Sequence, residues 1–231
     1  MVEISIIVPA YNEANYIHRM LISLQNQIFR DFEIIVKDGG SSDRTVEVAK
    51  RYANTVVSSK DISVSDARNQ GAKYAKSDVL VFVDADTVLP PDMLQKISDL
   101  LEDESVVGGS CRKIPESNSV LDRMVYEFVN LSTYLSAYLH IGGAHGNCMF
   151  VRKDVFEKTG GFNPLIHIAE EQELVRKAMR FGKFVFLLDQ CVLENPRRIQ
   201  EWGRFKLHTT WFNGTLRSFK VQEKQAYEKV R

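Results

Sequence analysis

The stretch Val79-Leu80-Val81-Phe82-Val83-Asp84-Ala85-Asp86 sets five apolar residues directly before two carboxylates one residue apart. An unbroken apolar run of that length reads as a strand buried on both faces, as in a parallel sheet covered by helices. Downstream, Pro90-Pro91 opens a helix carrying Leu94, Ile97, Leu100 and Leu101 at helical spacing. Upstream, residues 4–8 and 32–36 are two further apolar runs of strand length. Between them Ile17, Met20, Leu21 and Leu24 recur at helical period, after an Asn12-Glu13 start able to cap a helix. Strand, helix and strand in this order predict an α/β domain with a mostly parallel sheet flanked by helices.

Polar residues recur where these strands stop. In open α/β sheets ligands bind outside the carboxyl ends of the strands, so Asn12, Asp38, Asp84 and Asp86 are expected to share one crevice. Asp84 and Asp86 offer hard oxygen ligands to Mg²⁺ or Mn²⁺, which in turn would hold a diphosphate. On its own the pair is also a solvated turn with one Asp capping the next helix. Asp38 precedes Gly39-Gly40, where a ligand can approach the backbone closely.

The second half is less regular. It holds an apolar, aromatic-rich stretch at residues 121–141, a glycine-rich turn at 142–146, strands at 148–151 and 184–188, and an acidic helix start at Glu170. Tyr126, Tyr134 and Tyr138 lie at roughly helical spacing, which fits packing better than an acceptor groove. Beyond Glu194 a basic segment carries Arg197, Arg198, Arg204, Lys206 and His208 around Trp202 and Trp211. It reads as a solvated face, or as a clamp for a diphosphate or an anionic acceptor.

Composition narrows the class. The 231 residues, 44% of them hydrophobic, suffice for one domain with a substantial core. Thirty basic residues balance thirty acidic ones, so no global field draws nucleic acid or an anionic membrane to the surface. Cys111, Cys148 and Cys191 are odd in number and sit in or beside apolar runs, the usage of reduced thiols in a cytoplasmic protein. No stretch reaches the ~18 to 20 uncharged apolar residues of a membrane span, so membrane contact is expected to be peripheral, at the cytoplasmic face.

Ile6-Ile7-Val8-Pro9-Ala10-Tyr11-Asn12-Glu13, Val36-Lys37-Asp38-Gly39-Gly40-Ser41-Ser42-Asp43, Asp66-Ala67-Arg68-Asn69 and Asp84-Ala85-Asp86 resemble, in order and spacing, the successive motifs of family 2 glycosyltransferases. Gly146-Asn147, Gly160-Gly161-Phe162 and Glu170-Glu171-Gln172-Glu173-Leu174 extend the resemblance over roughly residues 3 to 190. It implies a GT-A fold and inverting, Mn²⁺- or Mg²⁺-dependent transfer from a UDP- or GDP-sugar to a glycan or lipid-linked acceptor. Pro9, Tyr11 and Glu13 would then frame the base and ribose, Asp38 would read the base, and Arg68 would lie near the donor phosphates. Asp84 would face the ribose or the metal, Asp86 would ligate the metal, and His208 would add a late ligand.

The family's general base is usually Asp, where this chain has Glu171, with Glu170 and Glu173 as rivals. The same resemblance divides the chain into a donor-binding half (1–110), an acceptor half (111–194) and a basic tail (195–231). Two other readings compete: a sugar nucleotidyltransferase, for which the glycine-rich phosphate loop is missing after the first strand, and a binding module that has lost catalysis.

Overall fold

The computed structural model describes residues 3–61, 63–166 and 168–197. Eight strands form one sheet: β1 (Ile4–Ala10), β2 (Phe32–Asp38), β3 (Thr55–Ser58), β4 (Val79–Val83), β5 (Thr87–Val88), β6 (Val106–Pro115), β7 (Cys148–Arg152) and β8 (Lys183–Glu194). Among the described residues seven helices cover it: α1 (Ile17–Gln25), α2 (Thr45–Ala49), α3 (Val64–Ala72), α4 (Met93–Leu101), α5 (Val120–Tyr138), α6 (Lys153–Thr159) and α7 (Glu170–Ala178). The strand order is β3-β2-β1-β4-β7-β6-β8-β5.

The run in β4 is apolar throughout because successive side chains leave on opposite faces and both faces are covered. Val81 and Val83 join Ile6, Val8, Ile34 and Val36 against Met20, Leu21 and Leu24 of α1 and Met93, Leu94 and Ile97 of α4. Leu80 and Phe82 join Ile7 and Ile35 against Ala72 of α3, Val155 and Phe156 of α6, and Leu174, Val175 and Ala178 of α7.

β1 pairs parallel with β2 and β4, and β2 with β3. β7 runs antiparallel to both β4 and β6, so β6 and its parallel neighbour β8 point the same way as β4. The carboxyl ends of β1, β2, β4, β6 and β8 therefore share one edge, and β7 begins there, with Cys148 opposite Val83. The sheet is mostly parallel, as expected, but β7 gives it a mixed character that the expectation did not contain.

Two local expectations change. Asn12 does not cap α1, which starts at Ile17 without a side-chain cap. With φ of 53° it instead accepts from the Ser42 amide, while its own amide donates to Ser41 Oγ, tying the loops after β1 and β2 together. β2 also runs two residues past Val36, because Lys37 is satisfied inside: its ammonium donates to Asp61, Ser59 O and Asp38 O. Of the tyrosines in α5, Tyr126 is buried, whereas Tyr138 is exposed with Met124, Phe128 and Leu131.

Cys111 and Cys148 are buried thiols and Cys191 is half-buried; all three are free. None of the described helices is long and apolar enough to cross a membrane.

α3 lies directly on the sheet at Gly71, where an added Cβ would stand 2.6 Å from Ile7 Cγ2 and 3.5 Å from Lys37 Cβ. Ala gains up to ~1 kcal/mol over Gly in a helix, but crowding a packed core costs about 1 to 3 kcal/mol. Gly71→Ala is therefore expected to lower the urea midpoint, and an unchanged or higher midpoint would contradict direct helix-on-sheet packing.

Candidate active site

Five segments meet at the carboxyl edge. Ser63 caps α3 by accepting from the Asp66 amide, and two residues later Arg68 points into the protein. Its guanidinium, 2% exposed, donates to Glu170 at 2.6 Å, Asp84 at 2.8 Å and the Gly146 carbonyl at 2.9 Å. It also lies 5.2 Å over the Phe162 ring. Burial opposes its charge, and Asp84, Glu170 and Glu171 more than restore it, so its pKa is raised. Arg68 thus braces β4, α7 and the turn before β7 from within, and is no surface ion pair. Asn69 adds a second brace, with its side chain bonded to both the amide and the carbonyl of Phe162.

The three glutamates that open α7 have different environments. Glu170 is the buried partner of Arg68. Glu173 is fully buried and ion-paired with Lys177 at 3.0 Å. Glu171 is half-buried, and removal from water, together with Glu170 beside it, lifts its carboxyl to about 7. A methyl group at Gly146 would stand 3.2 Å from Arg68 Nη2 and 3.5 Å from Glu171 Oε2. A carboxyl group poised near neutrality beside a fixed cation is in a form suited to proton transfer.

Asp84 is held by Arg68, with its side chain 20% exposed. Asp86 is nearly buried, and its Oδ2 lies 3.0 Å from Arg197, whose fork also grips both carboxylate oxygens of Glu13. Asp38 is buried and accepts from the amides of Gly40 and Ser41 and the hydroxyls of Ser41 and Ser58. Burial works against its charge, but these bonds prevail and hold its pKa below the ordinary value. Pro9 is a buried residue of β1 paired with Lys37. Tyr11 is 63% exposed, beside Gly39.

The structure brings Tyr11, Glu13, Asp38, Arg68, Asp84, Asp86 and Glu171 to one edge of the sheet. His208, together with Arg198, Trp202, Arg204, Lys206 and Trp211, lies outside the described residues. Sequence reasoning did not single out Asn147, whose buried side-chain amide has no hydrogen-bond partner among the described residues. It also left Arg197 among several basic residues, with nothing in its spacing to connect it to Asp86.

The chain is 29% identical over 197 residues to a chondroitin synthase of Pasteurella multocida, covering 81% of this chain and 20% of that protein. It is also 29% identical over 220 residues to an uncharacterized glycosyltransferase, EpsJ, of Bacillus subtilis, covering 86% and 63%. The chain thus spans between a fifth and about two thirds of these relatives' length. Among solved structures, a mannosyltransferase from Pyrobaculum calidifontis in complex with GDP-Man and Mn²⁺ superposes with a TM-score of 0.69 at 24% identity, covering 83% of this chain and 56% of that one. S. aureus TarS 1-349 in complex with UDP-GlcNAc gives a TM-score of 0.68 at 20% identity, covering 84% and 58%. Both share its GT-A-like fold. The family model described as Glycosyl transferase family 2 matches residues 5–160, more than half of the chain. The protein belongs to glycosyl transferase family 2.

Proposed function

We propose that the protein transfers a sugar with inversion from a UDP- or GDP-sugar to a hydroxyl of a glycan or lipid-linked acceptor, and that it uses a divalent cation. The observation that carries this reading is the convergence, at one sheet edge, of Glu171 beside the buried Arg68 with two carboxylates at the end of β4. Membership of the family and the nucleotide-sugars held by two proteins of like fold support it. They weigh against a nucleotidyltransferase.

Asp84 and Asp86 fit a hard cation. Both offer carboxylate oxygens, and Asp86 already has a positive charge against its Oδ2. Two protein carboxylates suit an ion whose remaining ligands come from substrate phosphates. When bound, such an ion supplies Lewis-acid stabilisation of the departing nucleoside diphosphate.

The chain's own residues do the rest. Tyr11 offers an exposed ring to the base, and Asp38, proposed as the base-reading residue, sets the turn beneath it. Pro9 and Glu13 border the ribose. Arg68 fixes Asp84 and places Glu171 beyond it. Glu171 takes the acceptor proton as the acceptor oxygen attacks the anomeric carbon. In this reading residues 1–110 hold the donor and 111–194 shape the acceptor site. His208 is proposed as a further metal ligand and the basic tail as a clamp for the diphosphate, with any membrane contact peripheral.

The test is release of nucleoside diphosphate from UDP-GlcNAc, GDP-Man and related donors, with Mn²⁺ or with EDTA. Activity with one base, lost in EDTA and reduced about 100-fold or more by Asp86→Ala, is expected. Full turnover by Asp86→Ala would remove Asp86 from the site, and donor binding without any release would favour a non-catalytic module.

A further inference from the structure

Asp86 is tied to a residue distant in sequence but adjacent in the sheet, where Thr87 pairs with Glu194. Arg197 follows the end of β8, where its amide donates to the Asn195 side chain. From there its guanidinium reaches back across the edge. One nitrogen donates to Glu13 Oε2 at 2.8 Å, and the other lies 2.5 Å from Glu13 Oε1 and 3.0 Å from Asp86 Oδ2. The Tyr16 ring lies beneath it, 4.7 Å from its centre. Side-chain exposure falls from 24% at Arg197 to 13% at Glu13 and 6% at Asp86, so the cation covers the carboxylates from the solvent side. Burial disfavours its charge, and the bond to Glu13 with the charges of Asp86 and Glu13 outweighs that, raising its pKa. It stays protonated at any working pH.

A cation and a metal ion cannot both take the same carboxylate oxygen at close range without strong repulsion. We propose that Arg197 is a latch on the metal-binding carboxylate: it holds Asp86 when the donor is absent and must release it before a divalent cation binds. The inference rests on the metal reading given above. The two bonds to Glu13 form a bidentate fork, the strong form of an arginine–carboxylate pair, and the contact with Asp86 adds one longer approach. Release therefore needs only a small rotation, with Glu13 and Tyr16 keeping the guanidinium nearby. The contact with Arg197 offsets part of the cost of burying the Asp86 charge. It also weakens metal binding to the empty protein, so that the cation binds well only when the phosphates of the donor arrive with it.

The test is Mn²⁺ binding followed by the loss of the free-ion electron paramagnetic resonance signal, with and without UDP or GDP, in the full chain. Arg197→Gln removes the charge and the fork. Arg197→Lys keeps the charge but cannot reach Glu13 and Asp86 together in one plane. The latch predicts that Arg197→Gln binds Mn²⁺ at least ~10-fold more tightly than wild type without nucleotide, that Arg197→Lys is intermediate, and that the advantage shrinks when the diphosphate is present. Equal or weaker binding by Arg197→Gln would overturn the latch while leaving the metal reading intact. So would Arg197→Lys matching wild type, because charge alone would then account for the change. No Mn²⁺ binding by any protein, with or without nucleotide, would overturn the metal reading and the latch together.

Discussion

Replacing Glu171 with Gln is expected to lower transfer by about 10²- to 10⁴-fold, the contribution of a positioned general base, while making the protein more stable at pH 8. Both outcomes follow from one displacement. Burial disfavours the ionised form of Glu171 and Glu170 lies beside it, so its pKa is raised to about 7 in the folded chain against an ordinary 4.5. Between those values the folded state holds a proton that the unfolded state has lost. Stability therefore falls as pH rises through that window, and the deficit is complete above about 7.

Gln is neutral at every pH, so it relieves the deficit at pH 8 and changes little at pH 5, where Glu171 is already protonated. Activity has the opposite dependence. The base works only when ionised, so wild-type kcat/KM should climb as pH rises and level off above an apparent pKa near 7. Thermal melts of the two proteins at pH 5 and pH 8, alongside a pH–rate profile, check both. Equal stabilisation at the two pH values, or a rate that is flat through pH 7, would reassign Glu171 as a structural residue.

Arg68→Met should be the most damaging single change to the fold, costing about 3 to 5 kcal/mol, as breaking a buried ion pair from one side does. Met keeps most of the volume beside Phe162 but leaves Asp84 and Glu170 facing each other without their shared cation. Lys would not repair it, because the fork serves two carboxylates and the Gly146 carbonyl in different directions. The double change Arg68→Met with Glu170→Gln removes one stranded charge and should recover part of the loss. Urea unfolding of the four proteins of this cycle measures the coupling. Additive losses would mean that Arg68 and Glu170 are not energetically paired.

β1, β2 and β4 were legible because each is largely an apolar run of strand length with a polar residue at or just past its end, at the common edge. β6 was not. Gly108 and Gly109 interrupt its apolar pattern, yet they are required within the strand: an added Cβ at Gly109 would stand 2.5 Å from the Phe150 ring and one at Gly108 2.9 Å from Phe184. The glycines mark pressure from neighbouring strands, information that lies in residues some forty and seventy-five positions away.

The site shows the same division. Asp84 and Asp86 could be placed from the end of β4, whereas the choice among Glu170, Glu171 and Glu173 could not be made from an acidic run. Packing separates the three, giving Arg68 to the first and Lys177 to the third. Arg197 reaches Glu13 and Asp86 because the end of β8 and the loop after β1 meet in the fold, and no local pattern records that meeting.

The central claim, that this edge of the sheet takes a nucleoside diphosphate with a divalent cation, is tested most directly by thermal stability with UDP, GDP and TDP or their sugars, each with and without Mn²⁺. A ligand that binds only the native state at about 100 times its Kd adds roughly 2.7 kcal/mol, or about 5 to 10 °C for a chain of this size. A shift of that order with one base, present only with Mn²⁺ and lost in Asp86→Ala, is the result expected. Absence of any shift across the panel, or a shift indifferent to both Mn²⁺ and Asp86, would contradict it.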